Sequence, residues 1–186
     1  MIYPMSPVPL LNPKLLGDVR RYWLNYKYDG WRLIVDKGKF FSRRGNELKG
    51  WIGLDRFKDL GYEYPLDCEL MTLDMKRTSI PSVKNQDVAV LIILDVIVED
   101  VPIEDRISLF PSIYNNCRYK HCEFYSIENV DDINRYLEQA IRTGYCDGIV
   151  LKKKNSLYYP GREEQIMSVD WIKVKERIKE NKKEVI

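Results

Sequence analysis

The chain has 186 residues, enough for one domain with a proper core and no need of disulfide staples. Hydrophobic residues make up 45% and charged residues 31%, and the formal net charge is only +2, so overall charge does not mark a nucleic-acid binder and local basic clusters would have to serve. No basic region followed by a long apolar run opens the chain, and no stretch reaches the length of a membrane span, so an intracellular, cytoplasmic protein without membrane contact is expected. Cys68, Cys117, Cys122 and Cys146 form no Cys-x-x-Cys pair and read as reduced thiols. His121 is the only histidine, which excludes a His-His metal site, and its polar, loop-like setting argues against a Ser-His-Asp triad.

In chain order, Met1 to Asn12 holds three prolines and no period, and reads as an extended lead-in. Pro13 to Arg21 has room for a short helical turn. Tyr22 to Tyr26 and Arg32 to Asp36 read as strands, and Asp29-Gly30 between them has the composition of a hairpin turn. Lys37-Gly38-Lys39 is a second hairpin signal leading into a strand at Phe40 to Ser42, followed by a basic turn at Arg43-Arg44-Gly45-Asn46. Leu54 to Leu60 fits a short helix, Tyr64 to Met71 a strand, Thr72 to Asp87 a polar loop and Val88 to Val98 a buried strand. Ile103 to Asn115 reads as a helix broken by Pro111, and Phe124 to Ile127 as a strand. Asp131 to Thr143 is the clearest helix, with Asp131 or Asp132 as cap, Ile133, Tyr136, Leu137, Ala140 and Ile141 as the apolar stripe, and Gly144 as the stop. Ile149 to Lys152 and Ser168 to Val174 are the last strands, before a charged tail at 176–186. Many strands with scattered helices and no separating linker give a single α+β domain over 1–186, with antiparallel sheets.

Five segments place charge at strand ends or on one strand face. They are Lys27 with Asp29 and Arg32, Ser42-Arg43-Arg44-Gly45, Leu66-Asp67-Cys68-Glu69-Leu70, Asp147 to Lys152, and Trp171 to Lys175. Lys173 and Lys175 are two apart, so on a strand they share a side, and two lysines facing inward are costly unless they meet an anion such as a polyphosphate. Asp95, inside an apolar strand, needs a partner and reads as structural, bound to backbone or an arginine. Lys152 to Lys154 has the look of a solvated face.

Taken together in this order, the segments resemble the nucleotidyltransferase domain of ATP-dependent DNA ligases, in the superfamily that also holds RNA ligases and mRNA-capping enzymes. Lys27-Tyr28-Asp29-Gly30-Trp31-Arg32 matches the Lys-x-Asp-Gly-x-Arg signature of motif I. Ser42-Arg43-Arg44-Gly45 resembles motif Ia, Glu69 stands where motif III has its glutamate, and Leu94-Asp95 resembles motif IIIa. Asp147 to Lys152 resembles motif IV, and Lys173-Val174-Lys175 motif V; the likeness runs from about Tyr22 to Lys175.

The resemblance implies an ATP-grasp-like fold and a lysyl-AMP intermediate formed on Lys27, with ATP and Mg²⁺ (or Mn²⁺) as cofactors and nicked duplex DNA as partner. Lys27 must be neutral to attack, which burial, the cations Arg32, Lys173 and Lys175 and a metal are expected to favour. Arg32 is expected at the nucleotide or nick end, Arg43 at the 5′-phosphate or ribose, Glu69 at the ribose or a divalent cation, Leu94 on the purine face, Asp147 at the metal, and Lys173 and Lys175 on the α-phosphate. Three features depart from the family pattern. Asp147 replaces a glutamate, Leu94 replaces an aromatic, and the chain ends too soon after Lys175 for an oligonucleotide-binding (OB) fold. The expectation is a monomeric minimal ligase of this domain alone, cytoplasmic or virus- or phage-encoded, or a domain completed by a partner that supplies the OB-fold. Basic side chains at Lys76, Arg77, Lys84, Lys152 to Lys154, Lys179, Lys182 and Lys183 would then hold DNA. The alternatives are an RNA ligase or guanylyltransferase with the same lysine chemistry, and a non-catalytic nucleic-acid-binding module.

Overall fold

A computed structural model of the chain describes residues 2–50, 54, 57, 62–72, 89–110, 118–175 and 177–178. The strand-forming runs sort into two five-stranded sheets. The first has the order β1 (Ser6–Pro9), β10 (Met167–Val174), β9 (Cys146–Lys153), β2 (Tyr22–Tyr28) and β8 (Tyr125–Ser126). The second has the order β4 (Lys39–Ser42), β3 (Trp31–Asp36), β5 (Leu66–Thr72), β6 (Ala89–Val96) and β7 (Tyr119–His121). Among the described residues, the helices α1 (Ile103–Ser108) and α2 (Val130–Arg142) frame them.

The sheets are mixed rather than purely antiparallel, because β1 runs parallel to β10 and β7 parallel to β6. Both parallel pairs join strands distant in sequence, which a tight hairpin cannot connect. The proline-rich lead-in is therefore part of a sheet. Its prolines are tolerated because β1 is an edge strand, where a missing N–H costs no ladder bond. His121, read as loop, ends β7 with its ring against Phe110.

The Asp29-Gly30 turn is not a hairpin. Strands β2 and β3 belong to different sheets, so the chain crosses from one sheet to the other between Tyr28 and Trp31. The turn after β3 is the hairpin, with Lys37 at φ 49° and Gly38 at φ 72°. The long helix is capped by Asn129, whose side chain accepts from the Asp132 N–H at 3.0 Å, rather than by Asp131 or Asp132. Those two aspartates already lie in the first turn, where their charge suits the helix dipole. Helix α1 stops at Ser108, short of the expected Asn115; residues 111–117, with Pro111 at their head, lie outside the described residues. So do most of the expected 54–60 helix, all but Thr72 of the expected Thr72 to Asp87 loop with Lys76, Arg77 and Lys84, and the tail from 179.

Period-two alternation assigns the faces. On the first sheet Leu24, Ile149, Leu151, Ile172 and Val174 point one way and bury against Ile133, Leu137 and Ala140 of α2. On the second, Leu33, Val35, Leu66, Cys68, Leu70, Leu91 and Ile93 form a core with Phe57 and Tyr119. Met5, Ile34, Ile97, Tyr158 and Trp171 make a smaller cluster that ties the two sheets together.

A buried ionic group sits beside that cluster. Asp95, fully buried, accepts from Arg106 Nε at 2.9 Å and Arg106 Nη2 at 3.1 Å, and from Lys152 Nζ at 3.2 Å. Burial works against the Asp95 charge, and Lys152 and Arg106 outweigh it, holding the carboxyl below its ordinary value. Arg106 also donates through Nη1 to the carbonyls of Val101 and Ser156, so one guanidinium joins β6, α1 and the loop after β9. Replacing it leaves those acceptors and part of a buried carboxylate unmatched. Arg106→Ala should lose about 3–5 kcal/mol of stability, read from urea unfolding curves.

Candidate nucleotide site

Between the two sheets lies a cleft of about 370 Å³. Every residue expected at the nucleotide, the nick end or the metal lines it: Lys27, Arg32, Arg43, Glu69, Leu94, Asp147, Lys173 and Lys175. They come from β2, β3, the turn after β4, β5, β6, β9 and the end of β10, so the convergence is a product of folding. On β10 the alternation places Trp171 and Lys173 on the cleft side and Ile172 and Val174 in the helix-packed core, and Lys175 continues the cleft-facing series.

At the centre, Lys27 Nζ donates to Asp147 Oδ1 at 2.6 Å, and Lys175 Nζ donates to Asp147 Oδ2 at 2.5 Å. Burial alone would raise the Asp147 carboxyl; the two ammonium groups outweigh it and hold it below the ordinary carboxylate value. Strict alternation on β9 would send Asp147 away from the cleft-lining Val150 and Lys152. A β-bulge prevents this: Lys27 pairs with Gly148 and Tyr28 with Cys146, so Asp147 is the extra residue and is turned toward Lys27. Gly148 keeps the neighbouring space open, since a Cβ there would stand 2.4 Å from the Val174 carbonyl oxygen.

Glu69 faces this group from the second sheet. It is 8% exposed, and its Oε1 accepts from the Gly30 N–H at 3.0 Å. Burial pushes its carboxyl up to about 8, against the pull of Arg32 and Lys27. Gly30 is required here: a Cβ would lie 2.3 Å from the Leu70 carbonyl oxygen and 2.5 Å from Met71 Sδ. Arg32 borders the cleft with its guanidinium engaged by protein groups. Nε and Nη2 form a two-pronged pair with Asp67 at 2.9 and 2.5 Å, and Nη2 also donates to the Met5 carbonyl at 2.6 Å. Burial opposes the charge on Arg32, and Asp67 more than restores it. Tyr158 donates its hydroxyl to the same Asp67 at 2.7 Å. Arg43 stands exposed at the rim, in a turn shaped by Ser42 Oγ, which accepts from the Arg44 and Asn46 N–H groups.

Among the cleft residues not given a site role in the sequence, Asn25 and Lys152 stand out by their burial. Asn25, 3% exposed, donates through Nδ2 to the Glu123 carbonyl at 2.6 Å, while its Oδ1 is buried with no hydrogen-bond partner among the described residues. Its only sequence signal is parity: two residues before Lys27 on the same strand, it shares the lysine's face. Lys152 is not part of a solvated face. It is 4% exposed, with Nζ donating to the Leu94 carbonyl at 2.9 Å and lying 4.3 Å from the Trp171 ring centre. Of its neighbours, Lys153 pairs with Asp170 at 3.2 Å and Lys154 lies 4.5 Å over the Trp23 ring. Arg162 pairs with Glu99 at the surface. Cys68, Cys122 and Cys146 are free, buried thiols; Cys117 lies outside the described residues.

Comparisons with known proteins bear on the fold and the family of the chain. The model of the ATP dependent DNA ligase domain family matches residues 13–175. No curated protein matches the chain in sequence. Among solved structures, a Lig E DNA ligase superposes with a TM-score of 0.72 at 18% identity, covering 92% of this chain and 68% of that one. The Chlorella virus DNA ligase-adenylate gives 0.73 at 17% identity, over 93% and 67%. The ligase domain of M. tuberculosis LigD gives 0.67 at 19% identity, over 94% and 59%. At such identities these likenesses speak for the fold, and the family model, which takes in most of the chain, speaks for descent. The chain belongs to the ATP-dependent DNA ligase domain family.

Proposed function

We propose that this domain seals nicks in duplex DNA through a lysyl-AMP formed on Lys27. The observation that carries the proposal is the meeting of Lys27, Lys173, Lys175, Glu69 and Asp147 in one cleft whose inner wall holds a buried acceptor, Asn25 Oδ1, unpartnered among the described residues. Such an acceptor is costly until a donor reaches it. The exocyclic amine of adenine is a donor, whereas guanine presents a carbonyl oxygen at the corresponding position, so Asn25 favours ATP over GTP.

In the first step Lys27 Nζ, having lost one proton to solvent, attacks the α-phosphorus of ATP; a nitrogen–phosphorus bond forms, the bond to pyrophosphate breaks, and a second proton leaves Nζ for solvent. Asp147 orients Nζ through its 2.6 Å hydrogen bond. Lys173 and Lys175 face the charge that develops on the α-phosphate, a role that needs placement more than covalent chemistry. AMP then passes to the 5′-phosphate of a nick, for which Arg43 is exposed at the rim, and attack by the 3′-hydroxyl expels AMP and closes the strand. Glu69, neutral near pH 7 with one oxygen on the Gly30 N–H, suits a ribose hydroxyl better than a cation.

A divalent cation fits the site only in company with phosphate oxygens. Among the described residues no three carboxylate, thiol or imidazole groups cluster. Mg²⁺ commonly takes one or two carboxylates together with water and substrate phosphates, and Asp147 is an ionised carboxylate beside Lys27. The ion (Mg²⁺ or Mn²⁺) would supply charge neutralisation on the triphosphate, with Asp147 as its protein ligand.

Incubation with α-labelled ATP, followed by a denaturing gel, should leave label on the protein. Lys27→Ala should lose that label entirely, and GTP should label at least about tenfold less than ATP, in keeping with one satisfied or unsatisfied buried hydrogen bond. A folded protein that takes no label from ATP would sink the proposal; sealing of a nicked duplex with a 5′-phosphate tests the later steps. Glu69 gives a second check. Its folded value of about 8 lies above the ordinary carboxyl value of 4.5, so the stability it contributes is complete below about 4.5 and is lost as pH rises through 8. Without nucleotide, the melting temperature should fall between pH 5 and 8, and Glu69→Gln should flatten that fall. Asp147 and Asp95, shifted the other way, act only at lower pH and leave this window clear.

A further inference from the structure

Leu94 forms part of the cleft wall from an irregular place on its strand. Opposite it, Asp67 pairs with Asp95 and Cys68 with Ile93, so Leu94 is the extra residue of a β-bulge in β6. A bulge turns a side chain out of the regular alternation, and its conformation is only as fixed as the groups that hold it. Here the Leu94 carbonyl accepts from Lys152 Nζ at 2.9 Å and from Cys122 Sγ at 3.3 Å. Lys152 also reaches Asp95 Oδ2 at 3.2 Å, so one ammonium group spans both residues of the irregularity. It reaches them from β9 of the opposite sheet, braced over the Trp171 ring at 4.3 Å.

Lys152 helps hold the Asp95 charge, but the group has more positive charge than one carboxylate needs. Asp95 already accepts from two nitrogens of Arg106 and from the Val96 N–H at 2.9 Å. With one carboxylate between two cations, the buried group holds one positive charge more than it neutralises. A second buried cation is costly and its retention calls for another task.

We propose that Lys152 is a positioning residue for nucleotide binding, pinning the β6 bulge so that Leu94 presents its side chain to the purine. The proposal rests on the reading of the cleft as the ATP site. Lys152 lines the cleft with its Nζ engaged by the Leu94 carbonyl and Asp95, and its effect reaches the ligand through Leu94.

The test is a double-mutant cycle on ATP affinity, measured by calorimetry in a Lys27→Ala background so that binding is not overlaid by covalent transfer. Lys152→Met should weaken ATP binding about tenfold, and Leu94→Ala by a similar factor, while the two together weaken it little further. In protein that retains Lys27, Lys152→Met should raise KM for ATP in self-adenylation and leave the saturated rate within about twofold, and Lys152→Arg should restore most of the affinity. Equal ATP affinity in the parent and in folded Lys152→Met overturns the proposal, as does full additivity with Leu94→Ala, which would mean that the charge acts on the triphosphate directly. If Lys152→Met does not fold, Lys152→Arg and its combination with Leu94→Ala decide: the guanidinium must keep Leu94 coupled to binding, and loss of affinity equal with and without Leu94 counts against the proposal. Absence of ATP binding in the parent would remove the ATP-site reading and this proposal together, whereas unchanged binding in Lys152→Met removes this proposal alone.

Discussion

The fold of the site depends on the passage of the chain from one sheet to the other at Gly30. The step succeeds because nothing occupies the Cβ position, where the Leu70 carbonyl and Met71 already stand too close for any side chain. Crossing there leaves Lys27 on the first sheet and Arg32 on the second, only five residues apart. It also brings the Gly30 N–H to Glu69, so the carboxyl facing the lysine is tethered to the crossing itself. A hairpin at the same two residues would have put Lys27 and Arg32 in one sheet and left no cleft between them.

The two sheets are then held apart at a set distance by groups that differ in kind. Apolar contacts among Met5, Ile34, Tyr158 and Trp171 close one side. Two buried ionic groups, Arg32 with Asp67 and Arg106 with Asp95, flank that apolar cluster. Tyr158 touches both, donating to Asp67 and lying under the Arg106 guanidinium at 5.7 Å. Both pairs belong to the second sheet's side, and they reach the first through Lys152 Nζ on Asp95 and Arg106 Nη1 on the Ser156 carbonyl, so displacing the sheets would leave buried charge less well matched. The lead-in segment joins the same frame, because the Met5 carbonyl holds Arg32 and the Met5 N–H meets the Tyr158 hydroxyl at 3.2 Å.

Much of the site was legible in the sequence because its residues stand in regular strands. Lys173 and Lys175 share a side as spacing requires, and Glu69 lies on a strand facing the lysine. Strand positions were also readable within a few residues, from Tyr22–Tyr28 to Met167–Val174. What escaped was set by partners remote in sequence. The lead-in became a strand through pairing with β10, more than 150 residues away. Lys152 looked solvated in a run of three lysines, and only the approach of Asp95 and Trp171 from other strands buries it. The Asp-Gly dipeptide carries the same local turn preference whether the next strand pairs with the last or leaves it.

The aspartate at 147, where the family has glutamate, shows how a local irregularity offsets a shorter side chain. Regular alternation would have turned Asp147 toward the α2 core, where a carboxylate has no partner. The bulge turns it to the cleft and sets it beside Gly148, the residue paired with Lys27. The Lys27 ammonium closes to 2.6 Å on a carboxylate one methylene shorter, while the bare Gly148 leaves room for the Val174 carbonyl beside it. The second bulge does the same service for Leu94 on the opposite sheet. The two residues that depart from the family pattern, Asp147 and Leu94, thus each stand at a bulge that borders the cleft. In both cases the backbone makes up the reach or the aim that the side chain lacks.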